Sequence, residues 1–375
     1  MILGTLGIFV LAFILGEIAV RQFVKFEEEH YYRFDKENKL YRRRPNFEGP
    51  WQKRNIKGYF KLNNEGWNST RDYFKEKKQD TFRIACIGTS ETGCYQVHVK
   101  DAWPKILEDR LNAAGKNCEV YTFAADRSYG YPHALHLTRY VVKNYAPDLI
   151  IYNSNFSESS LAGTTDKKHY MLVDVANNGT VKEIPPVNDR LPVMGEVFTL
   201  KSLIFQSKLI KYLRPKLALG TRLRAFLRLL KGKNAKPKVA GPKEANVNKA
   251  ATGLTFDQKT EIAIHYCLAE LKKIQSEHNF KMLFSIPVMR GKGFNWSNLI
   301  EERLQKNQDR IRVQKSAILQ SHGLPFFDLT KAFDEDYAKN NKKFDYLLDP
   351  HPNQQGNLIE GESIARYLLE NGYLD

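Results

Sequence analysis

The stretch Phe82-Arg83-Ile84-Ala85-Cys86-Ile87-Gly88-Thr89-Ser90-Glu91-Thr92-Gly93 decides how this chain is read. Its first half is a compact apolar run, suited to a strand buried on both faces of a parallel sheet. Its second half is a tight loop of small and polar residues bounded by two glycines. An amphipathic helix is predicted after it, with Trp103, Ile106, Leu107 and Leu111 on one face and Gly115 as its stop. The rhythm then repeats. Val120–Phe123 reads as a second strand, His133–Tyr145 as a helix and Asp148–Tyr152 as a third strand, which ends in Asn153-Ser154-Asn155. After a break, a long helix runs from a Thr255/Gln258 capping box to about Asn279. Met282–Val288 is a strand, Ser297–Ser321 a charged helix, Pro325–Leu329 a further strand and Gly356–Asn371 the last helix. Strands alternating with helices imply a parallel sheet covered on both faces, whose site lies in the loops at the strand C-termini.

The outward parts read differently. Residues 21–80 are charged and aromatic with few periodic apolar runs, and are expected to be a stalk and lead-in. Residues 157–254 interrupt the alternation as an insertion. Within it, Tyr170–Ile184 is expected to form a hairpin around Asn178-Gly179. The segment from Lys208 to Lys238 carries eleven Lys or Arg and no Asp or Glu, interleaved with Leu and Phe, a pattern suited to an anionic surface. Residues Ile2–Val20 hold one charge, Glu17, in an apolar stretch of bilayer length. With no basic region before it and no small-residue cleavage site after it, an uncleaved anchor over 1–20 is expected. Arg21, Lys25 and Arg42–Arg44 follow on its C-terminal side, which by the positive-inside rule favours a cytoplasmic position for that side.

Composition bounds the function. The 375 residues are 42% hydrophobic and include 22 Phe, 19 Tyr and 4 Trp, enough for one sizeable core. The net charge of +16 favours anionic partners, but no nucleic-acid motif is present. The four cysteines, Cys86, Cys94, Cys118 and Cys267, have neither zinc-site spacing nor the density of a disulfide framework. No metal or cofactor is expected.

A serine that attacks a carbonyl needs a base, a group that orients the base, and donors for the oxyanion. Ser90, just past a buried strand, is the candidate nucleophile. His351 lies in Asp349-Pro350-His351-Pro352-Asn353, where two prolines stiffen the backbone and Asp349 is close enough to orient the imidazole. Asn155, at a strand end, is a candidate oxyanion donor.

In order along the chain, these residues resemble the SGNH hydrolase superfamily, the GDSL-like esterases and acyltransferases. Gly88-Thr89-Ser90-Glu91-Thr92-Gly93 followed by Trp103-Pro104-Lys105-Ile106-Leu107 corresponds to its first block. Gly130, in Tyr129-Gly130-Tyr131-Pro132-His133, is the best match to the glycine of the second. Asn153-Ser154-Asn155-Phe156 corresponds to the third, and Asp349-Pro350-His351-Pro352-Asn353 with Gly356 to the last. Asn64-Glu65-Gly66-Trp67 resembles the lead-in of anchored members. The chain departs from the pattern at Thr89, Asn153 and Phe156, and at Leu348, where the acid usually stands three residues before the histidine.

The resemblance implies a three-layer α/β/α, flavodoxin-like domain over 81–375. It implies Ser90, His351 and Asp349 as catalytic residues and the Ser90 amide, Gly130 amide and Asn155 side chain as the oxyanion site. It further implies a single-pass, membrane-anchored esterase or O-acyltransferase, placed outside the cytoplasmic membrane. Such an enzyme acts on acyl groups of envelope glycans or lipids, in some relatives beside a membrane-bound O-acyltransferase partner. The alternative is a degenerate module of the same fold that binds a glycan or such a partner.

Overall fold

The computed structural model describes residues 11–19, 22, 32–53, 56–124, 130–153, 161, 170–187, 254–288, 293–295, 302–347 and 349–375. Two compact units are distinguished. One comprises Met1–Glu29 and Arg190–Thr252, the other His30–Asp189 and Gly253–Asp375. In the first, residues 11–19 are helical. Among the described residues, no helix is long and apolar enough to cross a membrane. Most of the expected anchor and the whole basic segment 208–238 lie outside the described residues.

The larger unit begins with strands β1 (Tyr32–Asp35), β2 (Leu40–Arg43), β3 (Phe47–Lys53) and β4 (Ile56–Leu62), paired as two antiparallel hairpins. This differs from the expected stalk. Leu40, Phe60, Leu62, Trp67 and Tyr73 are all buried, and Trp67 and Tyr73 pack on Phe123 of the main core. Phe60, Trp67 and Tyr73 are thus core residues, although the segment lacks a helical or strand period along the sequence.

Next come β5 (Phe82–Gly88), the short helix α1 (Ser90–Gly93), α2 (Trp103–Ala113), β6 (Cys118–Ala124), α3 (Tyr131–Tyr145) and β7 (Leu149–Asn153). The hairpin β8 (Leu172–Val175) and β9 (Val181–Ile184) turns at Gly179, whose φ of 83° favours glycine. Val173 and Val175 are buried with Ala263, so this part of the expected insertion belongs to the domain. The chain continues through α4 (Phe256–His278), β10 (Lys281–Ile286), α5 (Glu302–Ser321), β11 (Phe326–Asp328) and α6 (Thr330–Asn340). It ends with the two-stranded β12 (Asp345–Tyr346) and β13 (Asp349–Pro352), then α7 (Gln354–Glu370). The Thr255 capping box is formed. Helix α6 was not expected; its sequence carries few apolar residues and only Phe333 is buried.

The central sheet is parallel, in the order β11-β10-β7-β5-β6. Counted along the chain this is the 2-1-3-4-5 order of flavodoxin-like sheets. Alternate side chains of each strand enter different cores, as the strand period demands. Ala85, Ile87, Ile150 and Phe284 pack with α3 and α4, whereas Ile84, Cys86, Ile151 and Leu283 pack with α2 and α7. The result is three layers, α/β/α. All four cysteines are free and buried.

Candidate active site

The strand order changes direction between β5 and β7, the place where sheets of this order hold their ligands, at the carboxyl edge. Ser90 is the first residue of α1, immediately after β5. Its predecessor Thr89 is extended (φ −89°, ψ −155°) and its carbonyl accepts from the amides of Thr92 and Gly93 at 3.0 Å each. The turn is tight because Gly88 leaves room for it. A Cβ at residue 88 would sit 1.9 Å from Thr92 Oγ1 and 3.1 Å from Asn153 Cβ. Ser90 therefore stands at the edge of the sheet, partly exposed, on a backbone that its neighbours hold.

His351 arrives from β13, 261 residues later, with its Nε2 2.9 Å from Ser90 Oγ. Its Nδ1 is in short hydrogen-bond contact with Asp349 Oδ1, and its own backbone amide donates to the same oxygen at 3.2 Å. Asp349 is buried, while the His351 side chain keeps 18% exposure. The base is thus reachable from solvent and its orienter is not. The β12–β13 pairing explains why an acid two residues before the histidine suffices. In an extended strand, residues i and i+2 project to the same side. Leu348, at the position the family pattern reserves for the acid, lies outside the described residues.

Gly130 N-caps α3, at the carboxyl end of β6, on the same sheet edge as Ser90. It is buried, and its carbonyl accepts from His133 N at 3.1 Å. Asn155 lies outside the described residues. Asn153 is described and faces away from oxyanion work: it is fully buried and its Nδ2 donates to Glu360 Oε1 at 2.7 Å. Among the described residues, no group of three or more His, Cys, Asp or Glu side chains could hold a metal ion.

Two features escaped sequence reading. Thr89, which replaces the family's aspartate, donates its hydroxyl to Glu91 Oε2 at 2.7 Å. An aspartate there could not donate and would face a second carboxylate. The other is Glu360, on the buried face of α7. Burial and the neighbouring charge of Glu91 push its carboxyl up to about 8, against the lowering effect of the Asn153 hydrogen bond. Its position in Asn357-Leu358-Ile359-Glu360 carries no sign of this, since a glutamate in a helix usually faces water.

The chain matches no protein-family model and no curated protein. Solved structures similar to it include a lipolytic protein of the G-D-S-L family from Veillonella parvula. That match has 11% identity, covers 77% of this chain and 97% of that one, and has a TM-score of 0.36. A protein from Slackia heliotrinireducens, described as an SGNH hydrolase, is 12% identical over 76% of this chain and 98% of its own, at a TM-score of 0.37. An acetyl xylan esterase, AlAXEase, is 12% identical over 76% of this chain and all of its own, at 0.39. The functional reading therefore rests on the geometry of the site.

Proposed function

We propose that the protein is a serine-dependent acyl-ester enzyme of the SGNH type. The observation that carries this reading is the chain of contacts from Ser90 through His351 to the buried Asp349. Ser90 Oγ attacks the carbonyl carbon of an acyl ester as its proton passes to His351 Nε2. The tetrahedral oxyanion is held by the Ser90 and Gly130 amides and the Asn155 side chain. Collapse breaks the ester C–O bond, and His351 returns the proton to the leaving alcohol. A second hydroxyl compound, activated by His351, then attacks the acyl-serine and frees Ser90. Asp349 keeps the imidazole in one orientation and stabilises its protonated form in each half.

The finer reading is transfer of a short acyl group, acetyl above all, to a sugar hydroxyl of the cell envelope by a membrane-anchored enzyme. Water as acceptor gives hydrolysis instead. Support for transfer comes from the apolar Ile2–Val20 segment, which would keep the domain near membrane-derived donors, and from the insertion, which could shape an acceptor groove. A membrane-bound O-acyltransferase is the partner that would fit this arrangement, with the domain outside the cytoplasmic membrane.

Labelling by a serine-directed fluorophosphonate tests the chemistry. The wild-type protein is expected to label and Ser90→Ala is not. A wild-type protein that resists labelling would instead support a binding module that has kept the fold. For the finer reading, an activated acetyl ester is supplied with and without oligosaccharides, and products are followed by mass spectrometry. Acetate release without any acetylated sugar would leave a plain esterase.

A further inference from the structure

The nucleophile and the base come from distant parts of the chain, so their separation is set by whatever ties α1 to the β13–α7 junction. One side chain does so with four hydrogen bonds, two reaching out to Cys94 and Trp103 and two holding it within the junction. Asn357 sits one turn into α7 and is 1% exposed. Its Oδ1 accepts from the Trp103 amide at 3.1 Å and lies 3.1 Å from Cys94 Sγ, whose single proton it shares with the Glu91 carbonyl at 2.9 Å. Its Nδ2 donates to the carbonyls of Pro352 at 3.2 Å and Asn353 at 3.0 Å. An amide has two acceptor sites and two donors, so all of its capacity is used.

The two ends of this bridge abut the reacting groups. Cys94 C-caps the nucleophile helix in the left-handed conformation (φ 50°), and its amide donates to the Ser90 carbonyl at 3.1 Å. Pro352 directly follows His351. The path from Ser90 to His351 through Asn357 therefore consists of backbone, one thiol and one rigid amide. A second link, Tyr346 Oη donating to the Gln96 carbonyl at 2.8 Å, ties the other strand of the hairpin to the segment after α1. It touches neither the residue after the base nor the cap of the nucleophile helix.

Given the acyl-ester reading above, on which this rests, we propose that Asn357 is a positioning residue that sets the Ser90–His351 separation. It touches no substrate. Its removal takes this partner from the buried Trp103 amide and from the Pro352 carbonyl, leaves the Cys94 thiol to the Glu91 carbonyl and the Asn353 carbonyl to the helix amide of residue 357, and the base moves relative to the nucleophile. A displacement of about 1 Å at a reacting pair costs on the order of a hundredfold in rate.

The experiment is a double-mutant cycle on turnover of p-nitrophenyl acetate, with rates expressed per fluorophosphonate-reactive site. The variants are Asn357→Leu, the milder Asn357→Ser, His351→Ala and the two double variants; sites in the His351→Ala background are counted from folded protein. Asn357→Leu is expected to lower kcat about a hundredfold with KM within about threefold, and Asn357→Ser to fall between it and wild type. In the His351→Ala background, where there is no base to position, neither Asn357 change should lower the residual rate further. A general structural defect would lower it in both backgrounds. Equal losses in both, or a per-site kcat within twofold of wild type, would overturn the positioning role while leaving the acyl-ester reading intact. A wild-type protein with no reactive serine would overturn both.

Discussion

The β12–β13 hairpin and the helix α7 that follows it each bury a carboxyl group, and the two are used in opposite ways. Asp349 in the hairpin is 1% exposed, and Glu360 in the helix 2%. Asp349 receives the imidazole of His351 and the backbone amide of the same residue. Glu360 receives one amide donor, from Asn153, and shares its surroundings with the acid Glu91. Equal burial thus leads to different chemistry, because the partners, and not the depth, decide whether charge is tolerated. The first carboxyl is suited to hold an imidazolium. The second, with its value raised to about 8, is mostly a neutral hydrogen-bonding group at pH 7.

The largest expected effect asks whether this edge does chemistry at all. Ser90→Ala and His351→Ala should each lower the kcat for an activated acetyl ester by on the order of 10⁶-fold. Far-ultraviolet circular dichroism should be unchanged. Retention of wild-type turnover by either variant would mean that the contrast between the carboxyls has no catalytic content.

The comparison is sharpest when the same change, acid to amide, is made on both sides. Asp349→Asn should lower kcat by about 10⁴-fold while the protein stays folded, because an amide cannot hold the imidazolium or its correct tautomer. Steady-state rates paired with a thermal melt check this. Full activity would show that His351 has another orienter.

Glu360→Gln should leave kcat within about threefold and act on stability instead. The sign follows from proton binding. The folded state keeps its Glu360 proton up to about 8, whereas the unfolded chain loses it near the ordinary 4.5. Between these values the folded state binds more protons, so this group's contribution to stability falls as pH rises and levels off above 8. Glutamine does not titrate. The variant's advantage over wild type should therefore be smallest near pH 4.5 and grow to a few kcal/mol near pH 8. Urea melts across this range would measure it. A difference that does not vary with pH would mean that Glu360 is not held protonated.

The smallest effect concerns Glu91, which belongs to the nucleophile turn and whose charge acts on Glu360. Thr89→Val keeps the shape of the side chain but removes the hydroxyl that donates to Glu91. A loss of about 1 kcal/mol in unfolding free energy is expected. Thr89→Asp, which restores the family residue, should cost more, since it adds an acid beside Glu91.

Much of this arrangement was legible before the structure. The apolar run into Gly88 and the small loop after it mark a strand and a sharp turn, because these residue types have few other uses at that spacing. The proline-flanked histidine with an acid two residues before it was equally visible. Residues 32–62 were harder. Short antiparallel strands whose burial comes from distant partners leave no clear period, so a hairpin pair reads as a stalk. Glu360 and Asn357 were not legible at all. In sequence they are ordinary polar residues of a terminal helix, and only the helix register turns both inward.

The sequence by itself determined the alternation of strands and helices, the placement of Ser90 after a buried strand, and the pairing of Asp349 with His351. These are local matters, settled by residue type, side-chain period and chain stiffness within a few positions. Tertiary structure alone decided the 2-1-3-4-5 strand order and the approach of Ser90 to His351 within 2.9 Å. It also decided the burial of Glu360 against Asn153 and the fourfold bridge made by Asn357. The physical reason is that these contacts join residues up to 263 positions apart. Their energy depends on the packing of α7 against the sheet, and for the contacts that reach Ser90, Asn153, Cys94 and Trp103 no short window of sequence contains both partners.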